Sequence, residues 1–97
     1  MNILKLYPQI HPQSIVRKED QECVILLPED GKVIVLNNTG QEILEWIDGL
    51  HTVQQIADLL QQVYNLTTEQ ACQDVCLFLE SLQKRGLIFL QDHPRNA

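Results

Sequence analysis

Ninety-seven residues, 44% of them apolar and with only four Gly and four Pro, make one folded domain with a single modest core and exclude a disordered chain. Thirteen acidic against seven basic side chains give a net charge of −6, which repels phosphates, disfavours nonspecific nucleic-acid binding and favours basic or neutral partners. No apolar run approaches the roughly 20 residues that span a bilayer, and Met1 to Pro8 lacks the features of a signal peptide, so no membrane partner is expected.

Residues 1–13 are expected to be an irregular N-terminal segment, with Pro8 and Pro12 interrupting Ile3, Leu4, Leu6, Tyr7 and Ile10. The domain proper is expected over residues 14–90. Ser14 to Lys18 reads as a short first strand, Cys23 to Leu27 as a β-branched-rich second, and Val33 to Leu36 as a third. Between the last two, Pro28-Glu29-Asp30-Gly31 is turn chemistry: Pro presets φ and Gly accepts a positive one. The pair is therefore a hairpin.

Three helix starts follow. Thr39-Gly40-Gln41-Glu42, Thr52-Val53-Gln54-Gln55 and Thr67-Thr68-Glu69-Gln70 each set a Thr hydroxyl three residues ahead of a Glu or Gln. The hydroxyl accepts from an orphan N–H while the longer side chain reaches back to the cap. The helices are expected from about Thr39 to Asp48, Val53 to Tyr64 and Thr68 to Arg85, with Gly49, Asn65 and Gly86 at their stops. Leu87 to Leu90 reads as a short strand and residues 91–97 as a frayed polar C-terminal tail. Strand, strand, strand, then three helices is an α+β, winged-helix-like order: a three-stranded antiparallel sheet followed by a three-helix bundle. Its core is expected to hold Trp46, Ile47, Ile56, Leu60, Val75, Phe78 and Leu82, with Val63 and Tyr64 on the same side of the second helix.

On a helical wheel Ala71, Val75, Phe78 and Leu82 fall within about 60° of one another, an ordinary core stripe. Cys72, Cys76 and Leu79 widen that arc to roughly 160°, more than one neighbouring element needs. Both hairpin strands also carry apolar residues on both faces, where a small sheet usually alternates. The surplus predicts a second apolar surface, to be covered by a ligand, by the N-terminal Ile3-Leu4-Leu6-Tyr7 segment or by a second copy.

Catalytic motifs are absent from the sequence: there is no Gly-rich phosphate loop, no His-Glu-x-x-His and no Gly-x-Ser-x-Gly. His11, His51 and His93 fall in loops or tails and read as solvated. Cys72-x-x-x-Cys76 puts two thiols on one helix face, but a tetrahedral metal site needs two more ligands and none is near in sequence. These cysteines read as core or groove wall. Cys23, Cys72 and Cys76 are an odd number on apolar segments, which argues against a secreted disulfide framework and for a cytoplasmic chain. A winged-helix DNA-binding protein would share this architecture, yet the third helix carries Glu69, Asp74 and Glu80 with no cation before Lys84. No metal, cofactor or nucleic acid is expected.

From Leu36-Asn37 through Ile88 the sequence resembles the PqqD-like family, the small recognition proteins of ribosomally made, modified peptides. The matching positions are Leu36-Asn37, Ile47-Asp48-Gly49, Thr52, Ile56, Tyr64, Asp74-Val75, Phe78-Leu79, Leu82 and Gly86-Leu87-Ile88. The resemblance implies a non-catalytic module that binds the leader of a precursor peptide and presents it to a modifying enzyme such as a radical SAM enzyme, a cyclodehydratase or a leader protease. It implies that the leader adds a strand beside the third strand and lies against the third helix. The expected contacts are Lys32, Val33, Ile34, Val35, Leu36 and Asn37 on the strand, with Cys72, Val75, Cys76 and Leu79 on the helix. A structural or dimerisation module, including a homodimer, is the remaining alternative.

Overall fold

The computed structural model describes residues 2–96. Met1 and Ala97, the ends of the two segments expected to be irregular, lie outside the described residues. Three strands, β2 (Ile15–Glu19), β3 (Glu22–Leu26) and β4 (Val33–Leu36), form an antiparallel sheet in that order. Three helices follow: α1 (Asn38–Glu45), α2 (Val53–Tyr64) and α3 (Thr68–Lys84). The winged-helix-like α+β arrangement expected from the sequence is the one observed.

A second, two-stranded sheet was not expected. After a 3-10 turn over Ile3–Lys5, β1 (Tyr7–Ile10) pairs antiparallel with β5 (Ile88–Gln91), Tyr7 opposite Gln91 and Ile10 opposite Ile88. Pro8 is compatible with this strand because its carbonyl accepts from the Gly49 N–H, 3.0 Å away. Its missing N–H faces the same side and so removes nothing from the β1–β5 ladder. The segment is fixed further by the Val53 N–H donating to the Leu6 carbonyl at 2.9 Å, and Ile3 and Leu4 pack against the core. It covers the α2 side of the molecule. The C-terminal tail is held as well, the Arg95 N–H donating to the Gly49 carbonyl at 2.8 Å.

The caps explain the helix bounds. Asn37, not Thr39, caps α1, its side-chain oxygen accepting from the Gly40 N–H at 2.8 Å. Asn is as good a cap as any residue, and its position two residues earlier starts the helix sooner. The same helix stops at Glu45 rather than Asp48: the Trp46 and Ile47 N–H groups donate to the Ile43 and Leu44 carbonyls three residues back, at 3.0 and 3.1 Å, and the Asp48 carboxylate accepts from the Leu50 and His51 N–H groups of the following loop at 2.8 and 3.2 Å. Thr52 and Gln55 close the reciprocal capping box of α2, whereas at α3 only the Thr67 half is made, the Gln70 N–H donating to its hydroxyl. Asn65 (φ 53°) and Gly86 (φ 73°) adopt the left-handed conformation that ends α2 and α3.

Ile47, Ile56, Leu60, Val75 and Leu82 are buried, while Trp46 and Phe78 are only half-buried at its edge. Val63 and Tyr64, expected on the buried side of α2, are exposed. Gly49 sits where β1, the α1–α2 loop and the tail converge. With φ at 79°, an added Cβ would stand 2.8 Å from the Arg95 Cβ and 2.9 Å from the Gln9 Oε1. Gly49→Ala is therefore expected to lose at least roughly 1–3 kcal/mol, the cost of a left-handed non-glycine residue alone. Urea unfolding monitored by circular dichroism measures this; an unchanged midpoint would contradict the packing described.

Candidate functional site

The hairpin tip is set by two hydrogen bonds: the Asp30 and Gly31 N–H groups both donate to the Leu27 carbonyl, at 3.1 and 3.2 Å. Gly31 takes the positive φ (68°) that returns the chain into β4. Because β3 occupies one side of β4 and no strand among the described residues pairs with the other, β4 is an open edge carrying unpaired N–H and C=O groups at every second residue.

α3 runs alongside that edge in the opposite direction. Between the hairpin tip and the last turns of α3 lies a cleft of about 550 Å³ lined by Asp30, Lys32, Leu77, Glu80, Lys84 and Arg85. At the other end of β4 a cleft of about 310 Å³ is lined by Asn37, Thr39, Gly40, Asp74, Leu77 and Phe78. Leu77 belongs to both, so the two form one groove along α3, with Lys32 and Asn37, the residues that flank β4, at its two ends. Gly40 brings α1 close to the groove: a Cβ there would stand 3.2 Å from the Phe78 ring. Leu77 is 60% exposed.

The residues expected to touch a ligand divide into three groups. Lys32 and Asn37 line the groove, and Val33 to Leu36 form its edge strand. Within that strand Ile34 and Leu36 point inward, while Val33 and Val35 are exposed on the outer face of the sheet. Val75 and Leu79 have no exposed surface and belong to the core beneath the groove. Cys72 and Cys76 are half-buried and lie on the opposite flank of α3, about 120–160° around the axis from Phe78 by helical spacing. The surplus of the wide apolar arc is thus turned away from β4. Burial, then the neighbouring Cys72 and Glu80, pushes the Cys76 thiol up, which disfavours the reactive thiolate.

Leu77 and Phe78 stand in the places expected of Cys72 and Cys76. The sequence carries one signal for this: Leu77 is an isolated apolar residue among Gln73, Asp74, Glu80 and Ser81 on the polar side of the wheel. The N-terminal segment does not cover the groove, being bound to α2 and β5 instead.

Chemically the groove offers main-chain donors and acceptors, the apolar side chains of Ile43, Leu77 and Phe78, and charged rims. Among the described residues no group of three or more His, Cys, Asp and Glu side chains converges on a metal-sized site. The three histidines have local partners: His51 with Asp48 at 3.0 Å, His93 with Asp92 at 2.8 Å, and His11 Nδ1 accepting from the Gln13 N–H. Partial burial pushes the Asp48 carboxyl up, but the hydrogen bonds from His51 and the Leu50 N–H outweigh it and hold the group below its ordinary value. No helix among the described residues is long and apolar enough to cross a membrane.

Residues 22–88 match the family model described as coenzyme PQQ synthesis protein D (PqqD). A curated protein of Methylococcus capsulatus described as PqqA binding protein is 36% identical over 86 residues, 89% of this chain and 86% of that one. Among solved structures, lasso peptide synthetase B1 complexed with the leader peptide superposes with a TM-score of 0.76 at 25% identity, covering 86% of this chain and 98% of the other. The PqqD truncation of Methylobacterium extorquens PqqCD, described as a stand-alone RiPP recognition element, gives 0.69 at 25% identity over 84% of this chain and 87% of the other. TbiB1 in complex with the TbiA(β) leader peptide shares the fold, at 0.75 and 21% identity over 82% and 93%.

Proposed function

The chain belongs to the PqqD family, and from that premise we propose that it is a non-catalytic, cytoplasmic binding module that captures the leader of a ribosomally synthesised precursor peptide. The leader adds a strand to the open edge of β4 and lays alternate side chains into the groove against Leu77 and Phe78. The single observation that carries this reading is the coincidence of an unpaired strand edge with an uncovered groove beside it, in which the exposed Leu77 and the half-buried Phe78 lie between polar and charged side chains. Main-chain pairing supplies register, and side-chain contacts supply selectivity. The contact set is Lys32 to Asn37 with Asp74, Leu77, Phe78 and Ser81, the last lining the hairpin-tip cleft. Val75 and Leu79 support it from below, and Cys72 and Cys76 lie outside it. Two relatives support the reading by their descriptions, one as a PqqA binding protein and one as complexed with a leader peptide.

The second partner is the enzyme that modifies the presented peptide, a radical SAM enzyme, a cyclodehydratase or a leader protease. A homodimer paired through β4 would occupy the same edge, so self-association and leader binding would compete. DNA binding is disfavoured by the exposed face of α3, where Glu69, Asp74 and Glu80 precede the first cation. Fluorescence anisotropy with labelled leaders of ribosomally made precursors, a PqqA-type leader among them, tests the assignment. Saturable leader binding is expected, with no binding of the precursor's modified half alone and none of duplex DNA at micromolar protein. Salt-sensitive, sequence-selective DNA binding with an unresponsive leader would overturn it.

A further inference from the structure

The charges along the groove are not evenly spread. The chain has only seven Lys and Arg, and three of them, Lys32, Lys84 and Arg85, line the hairpin-tip end. All three are exposed, and none makes an ion pair or a side-chain hydrogen bond among the described residues. Asp30 and Glu80 line the same cleft, so its five charges sum to +1 in a chain of net charge −6. At the opposite end, beside Phe78, the single charged side chain is Asp74.

The two ends are far enough apart to act separately. Lys32 to Asn37 spans five strand residues, about 17 Å at roughly 3.3 Å each. The eleven residues from Asp74 to Arg85 cover about the same distance at 1.5 Å each. That exceeds the screening length of about 8 Å at physiological salt, so a carboxylate held at the cationic end is largely shielded from Asp74. Whole-chain charge would steer an acidic peptide away, whereas this local cluster would accept one in a single place.

We propose that the groove selects peptides bearing an Asp or Glu side chain at the hairpin-tip end, two or four residues from an apolar side chain seated on Leu77 and Phe78. Seven helix residues, about 10 Å, separate that seat from Lys84 and Arg85, which is about three strand residues, and only every second strand residue faces the groove. Lys84 and Arg85 are the specificity residues, and Lys32 adds to them from the strand. The inference rests on the peptide-groove reading and gives it a polarity: one end of the bound strand is acidic, the other apolar. Overall acidity therefore does not set the preferred partner; the distribution of the few cations does.

The test is a displayed library of random 12-residue peptides, selected on the immobilised full chain and in parallel on the Lys84→Glu, Arg85→Glu double variant. Both positions are exposed, so the variant is expected to fold with the parent's circular dichroism and unfolding midpoint. The parent is expected to enrich Asp or Glu two or four residues from an apolar residue, and the double variant Lys or Arg at that place. The best acidic peptide should bind the double variant at least tenfold more weakly and lose affinity between 50 and about 500 mM salt, while the charge-conserving Lys84→Arg variant binds it like the parent. Enriched peptides with no charge preference, bound equally by parent and double variant yet lost when proline interrupts the β4 edge, would overturn the inference and leave the groove reading standing. Peptides indifferent to both changes, or a library from which none enriches, would overturn both.

Discussion

Leu79→Glu is expected to unfold the domain, whereas Leu77→Glu, two residues earlier on the same helix, is expected to leave it folded and unable to bind its peptide. Leu79 has no exposed surface and packs within the single core. A carboxylate there has no partner, and burying it costs several kcal/mol beyond the roughly 2–5 kcal/mol of the lost leucine contacts. A domain of this size holds only about 5–15 kcal/mol in all. Leu77, 60% exposed, loses little on substitution, within about 0.5 kcal/mol for a surface site. Its new charge faces the groove, between Asp74 and Glu80, where an apolar side chain of the leader would have to be seated. A tenfold or greater loss of leader affinity, about 1.4 kcal/mol, is expected. Circular dichroism and anisotropy on the two variants separate these outcomes. A cooperatively folded Leu79→Glu with the parent midpoint would refute the core assignment.

The second large effect is expected on the strand. Along β4, successive N–H groups point alternately toward β3 and toward the open edge. Single prolines at Val33, Ile34, Val35 and Leu36 should therefore divide into two classes with a period of two. Where the N–H faces β3, proline removes a ladder bond of the sheet and the domain is destabilised. Where it faces outward, the fold tolerates the change, as edge strands do, but the added strand loses a donor and meets the ring. An unsatisfied peptide carbonyl costs about 1–3 kcal/mol, and with the steric block the expected loss of affinity exceeds tenfold. The side-chain truncation Val35→Ala should do little by comparison, since Val35 points to the outer face. Fold-competent proline variants that bind like the parent would exclude strand addition at this edge.

Local chemistry made most of the frame legible in the sequence. Pro28 to Gly31 specified the hairpin, and Thr52 with Gln55 specified the start of α2, because the atoms that satisfy each other lie within four residues. The β1–β5 pair was not legible, because Tyr7 and Gln91 meet across nearly the whole chain and Pro8 reads as a strand breaker until the hydrogen bond of its carbonyl is known. Of the expected contact residues, Lys32 and Asn37 line the clefts beside β4, whereas Cys72 and Cys76 lie on the other flank of α3. A wheel gives the width of an apolar arc but not which flank faces the sheet, so Cys72 and Cys76 were expected where Leu77 and Phe78 stand. Deciding the flank takes the contact between Phe78 and α1 at Gly40, a tertiary fact.

Titration of isotope-labelled protein with its leader peptide, followed by amide shifts and interstrand NOEs, tests the central claim most directly. Strand addition to β4 predicts shifts concentrated on Lys32 to Asn37 and on the Asp74 to Arg85 face of α3. It also predicts backbone NOEs from the peptide to alternate β4 residues and slowed exchange of their outward N–H groups. Shifts confined to β1, β5 or the outer-face residues Ile15 and Leu26, with no peptide NOE to β4, would contradict it.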